Sequence, residues 1–207
     1  MRIILGVALS AATFLSAPVS AAAQVPTVSA ARVATYSGDS DDIIRFKSTI
    51  KSGIAKITYE GDGYFSVWGL KPNGDEGQLL ASTAEKYTGT VAYNISSSDK
   101  LAGLKVTADA PWIIQFLPLT KAKYWAINSK GTGDQVLRLT RTSRGFHILK
   151  VRYTGDGYFS IWALNSYGKE FDLLVSSAKA YKGTVKLPAG TRYASIRADA
   201  PWTITRK

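Results

Sequence analysis

The chain states one module twice. Residues 59–91 and 153–185 align without a gap at an offset of 94 and agree at 19 of 33 positions. A second match follows at an offset of 90, where residues 108–112 and 198–202 both read ADAPW. Each copy therefore has to close around its own core with roughly 85 residues, which is enough for one small domain. Two copies also give an internal comparison. Residues held in common report the scaffold, and residues that differ report specialisation.

The pattern within each copy is that of strands. Ala55, Ile57 and Tyr59 alternate with Ile54, Lys56 and Thr58, and Leu149, Val151 and Tyr153 alternate with Ile148, Lys150 and Arg152. An apolar face opposite a largely polar one at period two is the signature of a strand packed on one side. Gly61-Asp62-Gly63 and Gly155-Asp156-Gly157 read as tight hairpin turns with positive φ, and Asn73-Gly74 reads as another. Pro111 and Pro201 interrupt their strands because proline has no N–H for the ladder. About eight short strands per copy, with turn residues between them and no long helical period, predict an all-β chain: two tandem antiparallel β-sandwiches of jelly-roll type.

The boundaries follow from this reading. Residues 1–23 read as a signal peptide, with Arg2 as the positive start, an apolar run to Leu15 and Ala21-Ala22-Ala23 as the cleavage site. The run is too short to span a bilayer. Module one is then residues 24–118 and module two residues 119–207. The expectation is a secreted protein, extracellular or periplasmic, with no membrane insertion after cleavage. Its cysteine count of zero leaves it without disulfides, so each copy must hold together by its core.

Charge is where the copies part. Residues 24–118 carry nine Lys+Arg and ten Asp+Glu, a net −1, whereas residues 119–207 carry sixteen and five, a net +11. Two matched positions reverse sign, Asp75 to Lys169 and Glu85 to Lys179. Others gain charge: Thr58 to Arg152, Thr88 to Lys182, Ala92 to Lys186 and Thr107 to Arg197. Strand parity places Lys150, Arg152, Lys182, Lys186 and Arg197 on outward faces. Same-face neighbours on a strand lie ~7 Å apart, a spacing that suits a polymer with repeating anions. These five residues are the predicted anion contacts. A generic basic surface that keeps the protein soluble is the alternative reading of the same charges.

Other residues are weaker candidates. Tyr64 and Trp68, with Tyr158 and Trp162, share strand parity and would form an aromatic platform for a sugar ring if exposed; packing under a loop or against the other module is the competing account. Asp39, Asp41 and Asp42 concentrate carboxylates that suit calcium, although solvated turns explain them as well. With one histidine and no cysteine, Cys/His and multi-histidine zinc sites are excluded. No G-x-S-x-G elbow is present, and only Glu76/Glu170 recurs among the glutamates. No enzyme activity and no cofactor are expected.

Each copy runs from a G-D turn through GDGYFSVWGL or GDGYFSIWAL and a Y-x-G-T-V strand to A-D-A-P-W-x-I. This succession resembles secreted bacterial β-sandwich accessory modules of the pre-peptidase C-terminal-like kind, over nearly all of the mature chain. The resemblance implies a non-catalytic binding or stabilising role beside exported hydrolases, with calcium in some members. It carries over no functional residue, and no catalytic domain adjoins the copies in this sequence. The reading is a secreted binding protein that takes an anionic polymer or glycan through module two. The alternatives are a protein-recognition factor (an inhibitor or host-interaction protein) and a neutral glycan binder using the Tyr/Trp platforms.

Overall fold

The computed structural model describes residues 34–145 and 147–207. The expected signal peptide lies outside them, as do Arg32 and Val33. Module one contributes β1 (Ala34–Gly38), β2 (Asp42–Arg45), β3 (Gly53–Tyr59), β4 (Phe65–Leu70), β5 (Glu76–Thr83), β6 (Tyr87–Tyr93), β7 (Gly103–Thr107) and β8 (Trp112–Leu117). A 3-10 turn at Leu119–Lys121 leads into module two. Its strands are β9 (Lys123–Tyr124), β10 (Asn128–Thr132), β11 (Gln135–Arg138), β12 (His147–Tyr153), β13 (Phe159–Leu164), β14 (Glu170–Ser177), β15 (Tyr181–Leu187), β16 (Tyr193–Arg197) and β17 (Pro201–Arg206).

The protein is all-β, and its strands form four sheets. Module one pairs them in the orders β1-β8-β3-β6 and β2-β7-β4-β5. Module two repeats both orders as β10-β17-β12-β15 and β14-β13-β16-β11, with β9 added beside β11. Every pairing is antiparallel except β9 with β11. This is the double Greek-key connectivity of a jelly roll, in which successive strands alternate between the two facing sheets except for the hairpins β4-β5 and β13-β14.

That alternation corrects the reading of the GDG turns. β3 and β4 belong to different sheets, so residues 61–63 cross between sheets and do not close a hairpin. Neither Gly61 nor Gly63 has positive φ. These glycines are required for space instead: a Cβ on Gly63 would collide with the Asp109 carboxylate, and one on Gly61 with the Tyr59 ring and hydroxyl. The Asn73-Gly74 turn does join paired strands, β4 and β5, and Gly74 has φ +93°.

Each core is built from the inward face of that alternation. Ala55, Ile57, Tyr59, Phe65, Val67, Leu104, Trp112 and Ile114 form the first, and Leu149, Val151, Tyr153, Phe159, Ile161, Ala194, Trp202 and Ile204 the second. The tryptophans keep their N–H groups satisfied, Trp112 donating to the Ser40 carbonyl and Trp202 to that of Gly133, both at 2.9 Å. Tyr59 stacks on Phe65 with ring centres 4.4 Å apart, and Tyr153 on Phe159 at 4.5 Å. Their hydroxyls donate to Asp109 and Asp199. These two aspartates thus serve the buried phenols.

The tyrosines make folding sensitive to alkali. The bond to Asp109, then burial, holds the Tyr59 hydroxyl above the usual phenol range. Burial, then the Asp199 bond, pushes Tyr153 up to about 12, and burial alone does the same for Tyr93. In the unfolded chain these groups lose their protons from about pH 10. Above that pH the folded state binds more protons than the unfolded state, so stability falls as pH rises. We expect a Tm that is flat up to about pH 10 and drops between about pH 10 and 12. Part of the phenolate absorbance should appear only with the unfolding transition. Complete ionisation of all tyrosines before any loss of structure would contradict this.

Candidate functional site

The two modules meet through faces that are not equivalent. Ile54 on β3, Ala92 on β6 and Leu117 on β8 point away from their own core. They join Val136, Leu164 and Tyr193 of module two, with Trp162 and Leu119 packed at the side. The outer face of module one's β1-β8-β3-β6 sheet is therefore covered by the outer face of module two's other sheet. Burying one such aliphatic side chain stabilises by about 1.5–3 kcal/mol.

Polar groups frame this contact. Asp134 is its hub: one carboxylate oxygen accepts the Ala198 N–H at 2.9 Å and the other the Tyr87 hydroxyl at 2.7 Å. Its backbone carbonyl accepts the Thr90 N–H at 3.0 Å. Arg197 lies 3.4 Å from the same carboxylate and donates to the Leu80 carbonyl at 2.7 Å. Lys169 donates to the carbonyls of Asn94 and Ser96 at 2.6 and 2.8 Å. Burial and the Asp134 charge hold the Tyr87 hydroxyl well above the usual phenol range.

In module two the sheet that corresponds to the covered one is β10-β17-β12-β15, and its outer face is open. There Arg152 stands directly opposite Lys182 across β12 and β15, with Lys150 opposite Thr184 and Ile148 opposite Lys186. On the other side of β12, Lys150 faces Thr205 and Arg152 faces Thr203. Lys130 on β10 is level with Thr203, and Lys207 follows β17. No Asp or Glu occupies an outward position on these strands. Lys150, Arg152, Lys182, Thr184, Thr203 and Thr205 line a shallow depression of about 430 Å³. Lys150, Arg152 and Lys182 make no salt bridge among the described residues.

Like charges this close repel. At ~7 Å in water the cost is about 0.6 kcal/mol per pair, small enough for the fold to carry. Its mark is visible at Lys207, whose ammonium is pushed below the usual lysine value by the neighbouring Lys150. Anionic groups over the face would relieve that repulsion, and threonine hydroxyls between the cations can donate to the same oxygens.

Four of the five predicted contacts are thus brought together and one is not. Arg197 sits on β16, in the other sheet, and its guanidinium is committed to the module junction. Strand parity identified an outward face but not which of two sheets owned it. Lys169, flagged by its reversal of sign, is likewise a junction residue. Lys130, Lys207 and the threonines were missed because only the strand order places β10 and β17 beside β12. The Leu117-to-Lys207 change at the offset of 90 was the available signal.

The weaker candidates also find their places. Trp162 is partly buried and packs against the junction cluster, so it does not form a free platform with the exposed Tyr158. Trp68 is half-buried on module one's other sheet, while Tyr64 and Tyr158 are exposed before their strands. Asp41 accepts the Ala108 N–H at 2.8 Å, as Asp134 does in module two, and Asp39 accepts from Ser40. Among the described residues no group of three His, Asp or Glu side chains could hold a metal ion, so Asp39, Asp41 and Asp42 do not converge. Nor is any helix there long and apolar enough to cross a membrane.

No protein-family model matches the chain, and the search of curated proteins returned no match. The likeness to pre-peptidase C-terminal modules therefore rests on the strand-and-turn pattern alone. Among solved structures, the chain is similar to a conserved protein of unknown function from Pseudomonas aeruginosa PAO1. Identity is 14%, over 85% of this chain and 80% of that one, with a TM-score of 0.25. It is also similar to the regulatory subunit of a cAMP-independent protein kinase A from Trypanosoma brucei, at 11% identity over 84% and 72%, with a TM-score of 0.23. At these scores neither likeness bears on function.

The division of the cations has a direct consequence. Replacing Arg197 with threonine, its module-one counterpart, leaves the Leu80 carbonyl and Asp134 short of a donor. We expect a loss of about 1–3 kcal/mol and a Tm lower by a few degrees, with unchanged retention on an anionic matrix. Weakened retention without a change in Tm would mean that Arg197 belongs to the open face.

Proposed function

We propose that the protein is an exported, non-catalytic binding protein that holds an anionic polymer against the open sheet of module two. Lys150, Arg152, Lys182 and Lys186 are the principal contacts. The observation that carries this reading is a continuous sheet face with cations on three of its four strands and no outward carboxylate. The polymer class is an acidic envelope polymer, an anionic glycan or extracellular nucleic acid. All three present anions at intervals that a face with ~7 Å and ~5 Å repeats can follow. Export is supported by the character of residues 1–23.

A second reading has its own observation. The basic face is the counterpart of the face that module one buries, and Thr58, Thr88, Ala92 and Leu117 there become Arg152, Lys182, Lys186 and Lys207. Charge at an edge strand and over a sheet face keeps another molecule from stacking on it. On this reading the cations maintain solubility and take no specific ligand.

One variant separates the two. Lys150→Ser, Arg152→Thr, Lys182→Thr and Lys186→Ser, made together, should abolish retention on polyphosphate and on a sulfated glycan while leaving Tm nearly unchanged. For the unaltered protein on a single-stranded nucleic acid, log K against log salt should fall with a slope of about −3, from four contacts at about 0.7 each. Retention that survives the four changes, or affinity that is flat with salt, would contradict polymer binding. Self-association of the variant together with unchanged retention would establish the second reading in its place.

A further inference from the structure

We propose that the cavity at one end of module one is a binding site for a single apolar carboxylate of the fatty-acid class. The cavity has a volume of about 660 Å³, within the range of small-molecule sites. Its walls include Tyr36, Phe46, Ile50, Tyr93, Phe116 and Leu119. The rings are set against each other, Phe116 edge-on to Phe46 at 5.6 Å and to Tyr93 at 5.0 Å, which gives the wall a fixed shape. Such a surface takes up an alkyl chain by burying it from water, at about 0.8 kcal/mol per methylene.

The polar groups at the cavity select for a negative head. Arg45, Lys47 and Lys51 are all exposed residues of its lining, and no Asp or Glu belongs to that lining. None of the three cations makes a salt bridge among the described residues. Tyr93 is only 6% exposed, yet its hydroxyl has no hydrogen-bond partner among them. Burial pushes that hydroxyl up to about 12, so at neutral pH it keeps its proton and can only serve as an unused donor or acceptor. Tyr93 lines the cavity, and a carboxylate oxygen bound there would accept a hydrogen bond from its hydroxyl.

Module two shows that this space is not a general property of the fold. At its matching end the position of Tyr93 is Leu187, that of Phe46 is Leu139 and that of Phe116 is Arg206. Trp125, fully buried, packs in one cluster with Leu139 and Leu187. Arg206 lies over the Trp125 ring at 5.9 Å and donates to its carbonyl at 2.9 Å. One copy fills this end with its own indole, whereas the other lines it with rings and surrounds it with cations.

The test is calorimetric titration of the mature protein with decanoate below its micelle concentration. We expect one decanoate per chain and binding of decanol at least tenfold weaker. Tyr93→Phe should weaken decanoate about tenfold. The double variant Lys47→Gln, Lys51→Gln alters only exposed residues, so it should lose affinity without a change in Tm. Arg152→Thr with Lys182→Thr should bind decanoate as the parent does, which separates this site from the open sheet of module two. The proposal is overturned by absence of saturable binding, or by equal affinity for decanol. Affinity that follows the module-two cations would overturn it too. So would binding that appears only after removal of residues 24–33, because the chain itself would then be the occupant.

Discussion

The structure depends on an unequal contact. Two modules of the same topology pack with the outer face of one sheet in module one against the outer face of the other sheet in module two. A contact between unlike faces does not close on itself, and repeated with the same surfaces it would extend into a stack. Both free ends depart from the surfaces that meet in the middle. At module two's end, Ala92 and Leu117 of the covered face are replaced by Lys186 and Lys207. At module one's end, Gly103 stands where module two offers the Tyr193 ring to the junction.

Seen from that contact, the charge asymmetry divides into two uses. Arg197 and Lys169 are spent at the junction, where backbone carbonyls and Asp134 receive them, and they contribute to holding the modules together. Lys150, Arg152, Lys182, Lys186, Lys130 and Lys207 remain on an outward face with threonines between them. Mutual repulsion of well under 1 kcal/mol per pair in water is tolerable there. A polymer that brings anions at a comparable spacing would turn the same arrangement from mildly unfavourable to favourable. Keeping the face bare of another molecule and offering it to a polyanion draw on one property.

Much of the architecture was legible in the chain because period-two alternation and turn residues are local signals. Ala55-Ile57-Tyr59 and Leu149-Val151-Tyr153 are core strands in both readings, and Trp112 and Trp202 fill the two cores. What was not legible depended on which strands are neighbours. Gly61 and Gly63 look like a hairpin turn, but a jelly roll sends β4 to the opposite sheet, and these glycines make room for Tyr59 and Asp109. Arg197 has the same outward parity as Lys150, yet it lies on a different sheet. The cavity of module one escaped notice for a similar reason: Tyr36, Phe46, Tyr93 and Phe116 converge from separate strands. The Trp125 that fills the other module's end also lies outside the segments in which the copies align.

The central claim is that polyanions are held on the open sheet of module two. Backbone amide shifts recorded while isotope-labelled protein is titrated with short-chain polyphosphate test it most directly. The account predicts that the perturbed amides cluster on β12, β15 and β17 around Lys150, Arg152 and Lys182, with module one unaffected. Perturbations spread over both modules, or centred on module one, would contradict it.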